Sequence, residues 1–201
     1  MTNETLYLGD NPLIASSAAV QGDYVTRDGE SYYRIANVDG MDDFFISVVS
    51  DSNHWMFIST RGGLSAGRTD CDSALFPYYT EDKIRDNSDN TGSRTIVIAE
   101  QDGKRKLWEP FSRSHAGVYR VTRNLYKNVL GDKLVFEEIN HDLGLQFTYS
   151  WSTSDRFGFV KESVIGAIGD TRATIEILDG IENLLPYGVL AGTQNELSCL
   201  V

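Results

Sequence analysis

The sequence is poor in the residues that staple a fold or bind metal. Its two cysteines, Cys71 and Cys199, lie far apart and outside any CxxC unit, which excludes a disulfide framework and a zinc ribbon. His54, His115 and His141 are the only histidines; they show neither HxH nor HExxH spacing, so no metal site and no cofactor is expected. Cations are scarce as well, with 18 Lys and Arg against 29 acidic residues and a net charge of −11. Without a basic run there is nothing to displace counterions from phosphates, and a nucleic-acid partner is excluded. No stretch approaches the ~20 continuous apolar residues of a membrane helix. The start, MTNETLYLGDNPL, lacks the basic and apolar segments of a secretory signal. No membrane partner and a cytoplasmic address are the expectation.

Helical periodicity is nearly absent too, and what stands in its place is a succession of strands. Apolar residues make up 41% and charged residues 23% of the 201 positions, ordinary globular usage that disfavours disorder and fibrous repeats. Asp28-Gly29 separates 23–27 from 31–35, and Asp102-Gly103 separates 95–99 from 104–108, each a hairpin signal. The apolar run 43–49 pairs through the polar turn 50–53 with 54–59. Strands at 118–125 and 133–138 flank Gly131-Asp132, and Gly169-Asp170 lies between 157–165 and 172–178. The clearest strand is 143–151, where Leu143, Leu145, Phe147, Tyr149 and Trp151 alternate with Gly144, Gln146, Thr148 and Ser150, predicting one buried face. About ten strands at regular spacing predict an all-β, antiparallel sandwich. The segment 179–185, before Pro186, reads as a short helical turn. Residues 1–22 read as an N-terminal arm, 23–190 as the sandwich, and 191–201 as the start of a linker or tail.

One stretch departs from a generic sandwich. After the strand at 54–60, Arg61-Gly62-Gly63 breaks the pattern, and Ser65-Ala66-Gly67 supplies small residues that leave the backbone mobile or open to close approach. Arg61, Arg68, Phe76, Tyr78 and Tyr79 follow within a short span, guanidiniums beside aromatic faces that suit sugar or protein recognition. A connection this long is usually functional or only partly ordered. The plainer alternative is a docking loop whose Leu75 and Phe76 cover one end of the core.

Several segments together resemble a known family. GGLSAGR at 62–68, LFPYYTEDKI at 75–84, WEPF at 108–111 and DGIENLLPYGV at 179–189 look like the N-terminal β-domain of cellobiose-phosphorylase-like glycoside phosphorylases, over roughly residues 30–190. The resemblance implies a galactose-mutarotase-like β-super-sandwich, which in that family precedes a linker and a helical barrel carrying the catalytic carboxylate. No such barrel is encoded in these residues, so phosphorolysis is not carried over to them. The expectation is a non-catalytic accessory domain of a carbohydrate-active protein, partnered by a carbohydrate or by a helical-barrel catalytic domain, with a homodimer as a further partner state.

Two other functions compete with that one. A free-standing carbohydrate-binding module would stack sugar rings on Trp55, Trp108 or Trp151. Trp151 falls in register with the buried alternation, so Trp108, following Lys104-Arg105-Lys106 near a strand end, is the better exposed candidate. A mutarotase-like epimerase needs a His acid and a Glu base, for which His115 or His141 with Glu138 are the candidates. Glycoside hydrolysis needs two carboxyls facing one sugar; Glu137 and Glu138, adjacent on a strand, point to opposite faces, and Asp142, Asp155 and Asp179 fall in turns. The residues expected to contact sugar or a partner domain are Arg61, Arg68, Tyr78, Tyr79 and Trp108, with the arginine and tyrosine side chains turned away from the core. No catalytic residue is assigned.

Overall fold

The computed structural model describes residues 5–14, 18–77, 84–85, 88–186, 188–190, 192–193 and 196. It is an all-β, antiparallel sandwich. A short β1–β2 pair (Tyr7–Leu8, Asn11–Pro12) precedes β3 (Gln21–Arg27), β4 (Glu30–Ala36), β5 (Phe45–Val48), β6 (His54–Ser59), β7 (Leu64–Arg68), β8 (Gly92–Gln101) and β9 (Lys104–Trp108). Then follow β10 (Val121–Asn128), β11 (Lys133–Asn140), β12 (Leu145–Ser154), β13 (Gly158–Ala167) and β14 (Thr174–Glu182). One layer is a six-stranded sheet in the order β13-β12-β11-β10-β4-β3, and two three-stranded sheets, β14-β8-β9 and β5-β6-β7, supply the other side of the core.

The turns explain much of the pairing. Asp28 and Gly29, and again Asp102 and Gly103, hold positive φ at both central positions, the twist a two-residue hairpin needs. The expected alternation in β12 holds: Leu143, Leu145, Phe147, Tyr149 and Trp151 are all buried on one face. They join Leu125, Leu134 and Phe136 of the same sheet to Met56, Ile58, Leu64 and Val97 opposite. β4 finds its neighbour far along the chain, with Ala36 opposite Asn124 and Tyr32 opposite Asn128 of β10.

Two expectations are corrected. The GGLSAGR segment is not a mobile loop; five of its residues form β7, paired to β6 with Trp55 opposite Gly67 and Phe57 opposite Ser65. Its small residues serve close approach: a Cβ on Gly63 would lie 2.6 Å from the Ile84 carbonyl, and one on Gly67 would lie 2.5 Å from the Trp55 ring. Nor is 179–185 a helical turn. β14 runs on through Asp179 to Glu182, opposite β8 along its whole length, because Asp179 turns inward to accept from Thr95 Oγ1 at 2.6 Å and Lys161 Nζ at 2.7 Å. That ion pair ties the edge of the six-stranded sheet to the edge of its neighbour.

Candidate functional site

The outer face of β5–β6–β7 carries an aromatic-lined groove. Strand alternation sends Ile46, Val48, Met56, Ile58, Leu64 and Ala66 into the core and leaves Phe45, Trp55, Phe57 and Ser65 on the other side. There they line a groove of about 420 Å³ with Asp70, Cys71 and Ile84. Phe57 is 49% exposed, and its ring lies 6.3 Å from that of Trp55, tilted by 42°. The indole is fixed by a 3.1 Å hydrogen bond from its Nε1 to the Asp70 carbonyl. The Asp70 carboxylate spends one oxygen on the Ser73 amide, at 3.0 Å. The Arg85 guanidinium lies over the Phe45 ring, 5.2 Å from its centre.

Ser65 is the unusual member. It is 1% exposed, yet its Oγ has no hydrogen-bond partner among the described residues. A buried hydroxyl left bare costs on the order of 1–3 kcal/mol, and this one lines an aromatic groove. Apolar walls with a few convergent polar groups are the usual composition of a small-molecule site.

The residues singled out from sequence do not assemble into one surface. Arg61 and Arg68 are both exposed, but they sit at opposite ends of β7, which its five residues make about 17 Å long. Arg68 lines a separate hollow with Asn53, Asp72 and Pro186. Tyr78 and Tyr79 lie outside the described residues. Phe76 is buried in the core and Leu75 packs against it. The Leu75 amide donates to the Ala66 carbonyl at 2.7 Å, and Leu75 O accepts from Leu185. This part of the connection docks onto the sandwich, as the plainer alternative has it.

Trp108 is a correction. It is 2% exposed, directly opposite Val97 on the inner face of β9, so it presents no ring to a sugar. Its Nε1 donates to Glu138 Oε1 at 2.8 Å, while Glu138 Oε2 accepts from the Phe111 amide at 2.7 Å and from Arg123 Nε at 2.8 Å. The WEPF segment is thus anchored from both ends on one buried carboxylate. Phe111 adopts φ +64° and drives its ring edge-on into Tyr149, with 5.3 Å between centres.

The two glutamates do face opposite ways. Glu137 lies on the outer face of the six-stranded sheet and accepts from Tyr126 Oη at 2.6 Å, Asn124 Nδ2 at 2.7 Å, Gln146 Nε2 at 2.8 Å and Arg27 Nη1 at 3.4 Å. Burial, together with the hydrogen bond to Glu137, pushes the Tyr126 phenol up to about 12. Four donors occupy both Glu137 oxygens, which makes it a brace of the sheet and not a ligand group. The acid–base pairs considered for an epimerase are not formed. His115 lies beside Glu109 at 3.6 Å, His141 bonds Thr122 Oγ1 at 2.8 Å, and Glu138 is enclosed by its three donors.

In the sequence Trp55 is one of three candidate tryptophans, and the small Gly67 opposite it is the signal that separates it from the other two. The chain matches no protein-family model and no curated protein, so the site is read from its geometry.

Proposed function

We propose that this chain is a non-catalytic, carbohydrate-associated accessory domain that holds a sugar in the groove of Phe45, Trp55, Phe57 and Ser65. The observation that carries the reading is the aromatic pair on the groove, the 49% exposed Phe57 ring beside a Trp55 indole fixed on the Asp70 carbonyl. Sugars match that pattern: their C–H faces stack on rings, and their hydroxyls donate to a carboxylate such as that of the exposed Asp70. The resemblance to phosphorylase-like N-terminal domains adds a helical-barrel catalytic domain as the partner against which such a surface would work. Binding does not depend on that partner.

The test is titration of the chain with neutral glucose and galactose oligosaccharides while following tryptophan fluorescence. Of the three tryptophans, Trp108 and Trp151 are buried, so a saturable change reports on Trp55. Trp55→Ala is expected to abolish the signal, and Phe57→Ala to weaken affinity about tenfold, the worth of one stacking ring. Binding that Phe57→Ala leaves unchanged places the sugar elsewhere. An absence of saturable binding by any of these sugars rejects the reading.

A further inference from the structure

At the far end of β7 from Arg68, the turn between β6 and β7 and the loop that follows β9 enclose a second cleft, of about 330 Å³. Its lining includes Arg61, Arg113 and Arg123, with Asp39 as the only carboxylate among the described lining residues. Glu138 neutralises Arg123 and Asp89 lies 3.7 Å from Arg113, which leaves Arg61 as the guanidinium of this hollow with no ion pair among the described residues. Phe111 and Phe136 give the cleft an apolar side.

The three arginines differ in how far the protein engages them. Arg123 is committed: its Nε bonds Glu138 at 2.8 Å, its Nη2 bonds the Ser112 carbonyl at 3.2 Å, and its side chain is only 17% exposed. Arg113 is loosely held, with Asp89 at 3.7 Å and Ser88 Oγ at 3.5 Å. Arg61 is unengaged. Its backbone amide is fixed on Ser59 Oγ at 3.2 Å, before the left-handed Gly62 at φ +87°. Yet among the described residues its guanidinium has neither a hydrogen-bond nor an ion-pair partner. Asp39, in the short helical turn after β4, is likewise unpaired among them. A cation at this place would face three guanidiniums, and a neutral polyol would leave Arg61 uncompensated.

We propose that this cleft binds a small hydroxylated oxyanion, a polyol phosphate or a sugar acid. The anionic group lies between Arg61 and Arg113, a hydroxyl donates to Asp39, and the carbon body rests against Phe111. Guanidinium forks suit this ligand because phosphate and carboxylate oxygens accept paired, charge-assisted hydrogen bonds. Arg123, held by Glu138, forms the fixed rear wall. The site is separate from the aromatic groove, and the sugar reading can fail without affecting it.

Isothermal titration with glycerol phosphate and with gluconate, using glycerol as the neutral control, tests the proposal. Saturable binding of one or both anions and none of glycerol is expected; which anion binds names phosphate or carboxylate as the natural group. Arg61→Gln should weaken binding about tenfold or more, as loss of a charge-assisted bond does. Arg105→Gln, whose arginine is paired at 2.8 Å with Glu176 on β14, should leave it unchanged. Amide shifts on titration of the unmodified chain supply a second readout and should centre on Gly62, Phe111 and Ala116. No saturable binding of either anion at millimolar concentration, equal binding by Arg61→Gln, or shifts centred elsewhere overturns the proposal.

Discussion

Glu138 offers the sharpest test of how the loop after β9 is held. Replacing it by Leu keeps most of the volume but removes the acceptor from three donors at once: the Trp108 indole, the Phe111 amide and the Arg123 guanidinium, all within 2.8 Å. Arg123 is 17% exposed and Glu138 is 2% exposed at the side chain, so the guanidinium rehydrates only in part where it lies. Breaking a buried pair from one side costs about 3–5 kcal/mol. The loop carrying Phe111 can lift and hydrate its own amide, so the total stays near the pair's figure, about 4 kcal/mol. For a chain of this size that corresponds to a fall in Tm of about 8–16 °C. Thermal melting followed by circular dichroism measures it. Adding Arg123→Met, which removes the stranded charge, should recover a large part of the loss, since a buried pair replaced as a whole by apolar side chains is often neutral. A single variant melting within about 2 °C of the parent, or a double variant no better than the single, would refute this account.

The buried face of β12 predicts that Phe147→Ala, at a side chain 1% exposed, costs about 3–5 kcal/mol in urea unfolding; an unchanged midpoint would show that face to be solvated. The Asp179 ion pair predicts a specific acid response. Burial alone would raise its carboxyl, but hydrogen bonds from Lys161, Thr95 and Ser163 outweigh that and hold it below the ordinary 3.8. A depressed carboxyl stabilises the fold above its unfolded pKa and loses that contribution as pH falls below about 3.8 through the folded value. Asp179→Asn should therefore flatten the acid limb of the Tm-against-pH curve, and parallel curves for the two proteins would contradict it.

The parts of the fold legible in the sequence were those fixed by local chemistry. The two Asp-Gly turns name their own hairpins, the alternation at 143–151 names its buried face, and adjacency alone places Glu137 and Glu138 on opposite sides of β11. What was hidden depends on neighbours distant in sequence. β7 looks like a loop because its outward residues are small, and Gly67 is small because the Trp55 ring and the Ser73 carbonyl occupy the space above it. Trp108 looks exposed after three cations, but its acceptor, Glu138, lies thirty residues on. Asp179 looks like a turn residue until Lys161 supplies the counter-charge that lets a carboxylate face inward. The groove shares that origin. Trp55 and Phe57 follow the strand period, whereas Asp70, Cys71 and Ile84, which complete the lining, come from chain beyond β7.

The place of β4 beside β10 governs how the chain comes together. Residues of β4 such as Ala36 have their partners at positions such as Asn124, and the β5-β6-β7 sheet and the β8–β9 hairpin are strung on the chain between them. The β3–β4 hairpin forms early from local contacts, then waits. Closing so long a loop costs entropy before any ladder bond is returned, which makes the β4–β10 seam a slow event in refolding and a late one in synthesis. Until β10 arrives, β4 is a bare strand edge beside Tyr24 and Tyr33, an opening through which a second nascent copy can pair.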